Sequence, residues 1–106
     1  LRENLIPPEL NSSQIRMIYA GEADILNMAM FGMTARDWRD RNPGKEGNIR
    51  DYADLSQLVV LSNLESINSM LIQQNLSQQE RLIQLNKMAI TQMRSLVENS
   101  NIKRLR

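Results

Sequence analysis

The chain has 106 residues, 42% of them hydrophobic and 24% charged, with thirteen basic against twelve acidic side chains. That length suits one domain with a modest core, and a net charge of +1 supplies no global field toward nucleic acid or anionic membrane, so any nucleic-acid site must be a local patch. With no Cys and no His, thiol chemistry, imidazole acid/base chemistry and nearly every zinc arrangement are excluded.

Residues Leu1 to Asn11 read as an extended lead-in, because Pro7 and Pro8 remove donors and push their predecessors out of the helical region. LRENLIPPEL opens without an initiator Met and lacks the apolar core of a signal peptide, so it reads as a segment following an upstream domain. A first helix starts at Ser12 or Ser13 and runs to about Ala20. Gly21 separates it from a second helix, Glu22 to Phe31, or kinks one continuous helix. Gly32 suits a left-handed stop and Thr34 a new start, giving a third helix from Ala35 to about Arg41, ahead of Pro43. Within it Arg36 and Asp40, and Asp37 and Arg41, have the i, i+4 spacing of ion pairs.

The loop Asn42 to Asn48 is dense in breakers. Asp54, with Gln57 reaching back, caps a long helix from Leu55 to about Gln74. Asn75 suits its end, and Ser77 with Glu80 forms the S-x-x-E box of a last helix, Gln78 to about Glu98, which frays into NIKRLR. No strand-like alternation and no repeat occurs. The expectation is an all-α fold: a small bundle of four to five helices ending in an antiparallel hairpin, with residues 1–11 as lead-in, 12–98 as the domain and 99–106 as a basic tail. The longest apolar run, Leu58 to Leu61, is far too short to span a membrane. The cytoplasm is the expected location.

The two long helices differ. Leu82, Leu85, Met88, Ala89, Met93, Leu96 and Val97 form one broad stripe on the last, so one side is buried. The preceding helix places Leu55, Leu58, Val59, Val60, Leu61, Leu64, Ile67, Met70 and Leu71 nearly all round its axis. Such a helix lies at the middle of a bundle or shares a side with another subunit, and a homodimer covers it more easily than three short partners. Leu58, Val60, Leu61, Leu64 and Met70 are therefore the candidate interaction residues.

The Gly32-Met33-Thr34 corner has the size of a helix-turn-helix turn, which would make ARDWRDR a groove-reading helix, with Arg36, Arg39, Lys45 and Arg50 as candidate DNA contacts. Trp38 shares a face with Ala35 and is expected to pack inward, while Asp37 and Asp40 oppose phosphate. Gly44 to Asn48 can form an amide nest for an anion, but no phosphate-loop motif occurs, and a plain turn is the preferred reading. Asp37, Asp40, Asp51, Asp54 and Glu65 suit capping and ion pairing better than acid/base or magnesium work. Ser56, Ser62, Ser66 and Ser69 have no His as base. Seven Met favour core filling over an adaptable binding surface. Asn86 lies inside the apolar stripe and must be hydrogen-bonded if buried, and Asn27, Asn63 and Asn68 are similar candidates. The terminal KRLR reads as solvated.

The strings ENLIPPEL, IYAGEADILNMAMFGMTARDWRDRNP, GNIRDYA, LVVLSNLESIN and LSQQERLIQLNKMAITQMRSL resemble the helical region that follows the KilA-N domain in proteins of bacteria, prophages and other mobile elements. The likeness runs from about Glu3 to Leu96. It implies a full-length DNA-binding protein whose DNA contacts lie in an upstream domain, and it carries no catalytic residues onto this chain. The resulting expectation is a non-enzymatic accessory domain for self-association or partner binding, with no cofactor, metal, membrane or small-molecule substrate. The alternatives are an auxiliary DNA-binding module and, third, a metal-dependent enzyme built on the aspartates.

Overall fold

Side-chain caps set the helix boundaries. In the computed structural model, which describes residues 5–105 and side chains through residue 99, five helices follow in order: α1 (Ser12–Arg16), α2 (Glu22–Phe31), α3 (Ala35–Arg41), α4 (Leu55–Gln73) and α5 (Gln78–Leu105), with a 3-10 turn at Ile49–Tyr52 before α4. Among the described residues the fold is all-α, as expected. Leu1 to Asn4 and the KRLR side chains lie outside the described residues.

Asn11 caps α1: its Oδ1 accepts from Gln14 N at 2.8 Å, and Gln14 Oε1 accepts from Asn11 N at 2.9 Å. Ser12, one of the two expected starts, opens the helix, but the cap is Asn11 in place of the expected Ser12 or Ser13, and the helix stops at Arg16 instead of Ala20. The reason is tertiary. Gln78 of α5 pairs with both backbone groups of Tyr19, accepting from its N–H at 3.3 Å and donating to its carbonyl at 3.1 Å, which holds that residue outside a helix. Gly32, at φ 72°, ends α2 as anticipated. Reciprocal boxes then start α3 at Thr34 with Asp37, the 3-10 turn at Asn48 with Asp51, and α4 at Asp54 with Gln57.

The turn Ile49–Tyr52 fills the stretch between the expected loop, which ends at Asn48, and α4, where the sequence suggests no element. Asn48 Oδ1 accepts from Arg50 N at 2.9 Å, and the Asp51 carboxylate accepts from Asn48 N at 2.8 Å. Between α4 and α5, Asn75 takes the left-handed conformation at φ 62°. Glu80 N donates to Ser77 Oγ at 3.2 Å and Ser77 N to Glu80 at 3.4 Å, closing the expected box. α5 then stays helical through Leu105, past the anticipated end at Glu98.

The core contains Ile25, Met28, Ala29 and Met30 of α2, Val60, Leu61, Leu64 and Leu71 of α4, and Leu82, Leu85, Ala89 and Met93 of α5. α5 is the central helix, packed against α2 and α4 and touched by α1. Of the two expectations for α4, the middle of the bundle or a side shared with another subunit, the first is corrected, since α5 takes that place. The lead-in is not free: Pro7 and Leu10 are buried, and Asn86 of α5 accepts from Leu10 N at 3.2 Å and donates to the carbonyls of Pro8 and Ala29, both at 3.0 Å. The buried amide is fully employed in clamping lead-in and α2 onto α5.

Candidate functional site

At 100° per residue, Gln57, Val60, Leu61, Leu64, Asn68 and Leu71 of α4 point to the core. The opposite face carries Leu55 at 75%, Val59 at 48% and Met70 at 59% exposure, with the small Ser62 and Ser66 between them. Of the five candidate interaction residues, Val60, Leu61 and Leu64 are sealed at 2% exposure or less and are spent on the protein's own core. That part of the expectation is corrected, because the apolar circuit around α4 divides into a buried half and an outward half. Leu58, at 37%, and Met70 remain open. Leu55 and Val59 belong with them, and their i, i+4 spacing was the available signal.

α4 carries one charged residue, Glu65. It pairs with Arg50 at 3.7 Å, both side chains partly exposed at 52% and 39%. The outward face is thus apolar and hydroxylic over a helix roughly 28 Å long at 1.5 Å per residue.

The short-helix segment docks through Trp38. Its ring is buried at 8% exposure and lies 5.1 Å from that of Tyr52, over which Lys45 Nζ also sits at 5.1 Å. The inward expectation for Trp38 holds. The i, i+4 ion pairs expected in α3 do not form: among the described residues the ion pairs are Arg50 with Glu65 and Arg81 with Glu22. Asp37 instead accepts from Thr34 N at 3.1 Å, where capping a free amide outcompetes a solvent-screened surface pair.

Of the four basic residues considered for DNA, Arg39 and Arg50 line one groove of about 360 Å³, together with Ala23, Asn27, Ala35, Asn48 and Ile49. Arg36 is exposed on α3 but is not part of that lining, and Lys45 is directed to Tyr52. Asn27 is 4% exposed, and its Oδ1 finds no hydrogen-bond partner among the described residues. Asn68 is buried and bonded, whereas Asn63 is exposed and donates to Gln92 Oε1 at 3.0 Å.

A buried polar cluster went unread in the sequence. Arg81, 7% exposed, donates to both carboxylate oxygens of Glu22 and, at 2.9 Å, to Asn68 Oδ1. Hydrogen bonding to Arg81, against a smaller opposing effect of burial, holds the Glu22 carboxyl below its ordinary range. The available signal was a lone Arg one turn before Leu85 on the buried stripe. The loop Gly44 to Asn48 is a turn, since the Asp51 carboxylate occupies the amide side that an anion would need and packs against Gly47 at φ 85°. Asp54 caps α4, and hydrogen bonds from the Ser56 hydroxyl and amide keep its carboxyl low. Among the described residues no three metal-ligating side chains converge, and no helix is long and apolar enough to cross a membrane.

Comparison of the chain with protein-family models, with curated proteins and with solved structures finds no match.

Proposed function

We propose that this chain is a non-enzymatic helical accessory domain that self-associates through the outward face of α4, beside a KilA-N type DNA-binding domain in a regulatory protein of bacterial or phage type. The observation that carries the self-association is the exposed, nearly uncharged face of Leu55, Val59 and Met70. That face is self-complementary. Two copies of α4 crossing antiparallel about a twofold axis near Ser62 and Ser66 set Leu55 and Val59 of one against Met70 of the other, as an isologous interface requires. The serines allow close approach, and Glu65 is offset by Arg50, so no unopposed like charges face one another. The family context rests on the sequence resemblance alone.

Light scattering across micromolar concentrations tests this reading. Wild-type protein is expected to move from monomer to dimer, and Leu55→Glu combined with Met70→Glu to remain monomeric with unchanged helical content. A wild-type monomer throughout overturns it.

A second reading, auxiliary DNA binding, is favoured by one observation: no α3 arginine is held in an ion pair among the described residues. Arg36, Arg39, Lys45 and Arg50 would then contact phosphate. Duplex affinity that falls steeply between low and physiological salt, and falls again in Arg36→Gln/Arg39→Gln, supports it. Absence of binding at low salt removes it.

A further inference from the structure

The groove between α2, α3 and the 3-10 turn combines features that the dimerisation reading does not use. Its lining includes a deeply buried amide, Asn27, whose Oδ1 has no partner among the described residues. Buried carboxamide oxygens are normally satisfied, and this one is sealed from solvent, so the orphan marks an amide whose present orientation nothing holds and which can turn toward a group that arrives in the groove. The side chain's last torsion is soft, and turning about it presents either the acceptor or the two donors of the amide to the groove. Ala23 and Ala35 are small enough to leave space, and Ile49 supplies an apolar wall.

Two guanidinium groups, Arg39 and Arg50, and the exposed Asn48 complete the lining. Arg39 is exposed, and the 3.7 Å contact of Arg50 with Glu65 is loose. Guanidinium forks match phosphate oxygens in pairs. With Glu65 offsetting Arg50, the groove holds one cation, Arg39, that has no ion-pair partner among the described residues, which suits a single phosphate better than a triphosphate. The volume of about 360 Å³ lies at the low end of small-molecule sites, roughly 300 to 1,000 Å³.

The geometry points to a binding site for a nucleoside monophosphate, with its phosphate on Arg39 and Arg50, its base between the alanines and Ile49, and a base edge on the Asn27 amide. An asparagine amide pairs with adenine through one accepted and one donated hydrogen bond, so adenosine monophosphate is the first probe. The site meets the α4 face only through the contact of Arg50 with Glu65, and binding in the groove is read without reference to self-association.

Calorimetric titration of the whole chain with adenosine monophosphate, ribose 5-phosphate and inorganic phosphate tests the assignment. Adenosine monophosphate is expected to bind at least about ten-fold more tightly than either of the others, since only it engages Asn27. Arg39→Gln, at an exposed position that leaves the melting temperature unchanged, is expected to weaken it about ten-fold. Asn27→Leu should abolish discrimination from ribose 5-phosphate while raising the melting temperature of the free protein, because it removes an unsatisfied buried acceptor. A purely structural amide would give the opposite melting shift. Failure of adenosine monophosphate to bind, equal binding of inorganic phosphate, or unchanged affinity in Arg39→Gln overturns the proposal.

Discussion

Arg81 of α5 and Glu22 of α2 form a forked ion pair in which the cation is 7% exposed while the carboxylate side chain remains 46% exposed. Asn68 of α4 joins them, donating to Glu22 Oε1 at 2.8 Å and accepting from Arg81 at 2.9 Å, so one polar cluster ties three helices together. The asymmetry of burial decides how the pair responds to mutation. Glu22→Gln strands a buried guanidinium, and its cost is about 1 to 2 kcal/mol, less than the roughly 3 to 5 for a fully buried pair because water screens the exposed carboxylate. Arg81→Met removes the charge that needs a partner, keeps the apolar volume and is expected to cost less. Urea unfolding of both variants checks the order.

The same pair sets an acid limb. The folded Glu22 carboxyl lies below its ordinary range because Arg81 hydrogen-bonds its charged form, so its contribution is complete above the unfolded value, about pH 4.3, and is lost as pH falls through the lower folded value. Wild-type stability should therefore fall on acidification more steeply than that of Glu22→Gln. Parallel slopes in the two proteins would show that Glu22 carries no such linkage.

Asn86 is the second polar fixture, with Leu10 N–H and the carbonyls of Pro8 and Ala29 as partners. Asn86→Leu leaves a buried amide and two carbonyls short of a hydrogen bond, for a loss of about 2 to 6 kcal/mol at 1 to 3 for each of the two buried orphans, Leu10 N and Ala29 O, water reaching the Pro8 carbonyl. It should also release the lead-in before the helices melt. Hydrogen exchange at Leu10 is expected to accelerate far more than at Leu85, and uniform acceleration would contradict a local clamp.

What the sequence disclosed was local. Thr34, Asp54 and Ser77 each announced a helix start because a cap and its reciprocal acceptor lie three residues apart, within reach of any turn they close. Asn48 and Asp51 have that same spacing, yet a turn of four residues is too short to show a periodicity, and the sequence suggests no element there. The end of α1 was illegible for a different reason: Gln78 holds Tyr19 from 59 residues away. Long-range pairing also hid the Arg81 cluster, and it reversed the roles of the long helices. α4 is apolar all round but is covered on one side, whereas the more polar α5 takes the centre. The groove was half legible: Arg39, Arg50 and Asn27 were each singled out, but nothing local told that they meet.

Two glycines at helix α2 should respond in opposite directions. Gly32 sits at φ 72°, and an added Cβ would meet Pro8 Cγ at 3.0 Å, so Gly32→Ala should cost about 1 to 2 kcal/mol from the left-handed backbone, plus whatever displacement of Pro8 requires. Gly21 is the N-cap, extended at φ −162°, with no side-chain cap bond and nothing within 4 Å of an added Cβ. Gly21→Ser supplies an acceptor for the free amides of the first turn and should gain a few tenths of a kcal/mol. Thermal melts of the two variants check the signs, and a stabilised Gly32→Ala would refute the backbone assignment.

Core and outward residues on α4 can be separated by the quantity each one moves. Leu64 is 0% exposed, so Leu64→Ala leaves a cavity among α2, α4 and α5 and should cost about 2 to 5 kcal/mol at every protein concentration. Leu55→Glu, at 75% exposure, removes no packing and should change monomer stability by no more than about 0.5 kcal/mol. If α4 is the dimer face, its effect enters through mass action: wild-type protein melts higher as its concentration rises, and Leu55→Glu abolishes that dependence. Chemical unfolding at two concentrations a hundred-fold apart reads both quantities. A wild-type midpoint that does not move with concentration removes the dimer face, while a Leu64→Ala protein as stable as wild type removes the assignment of Leu64 to the core.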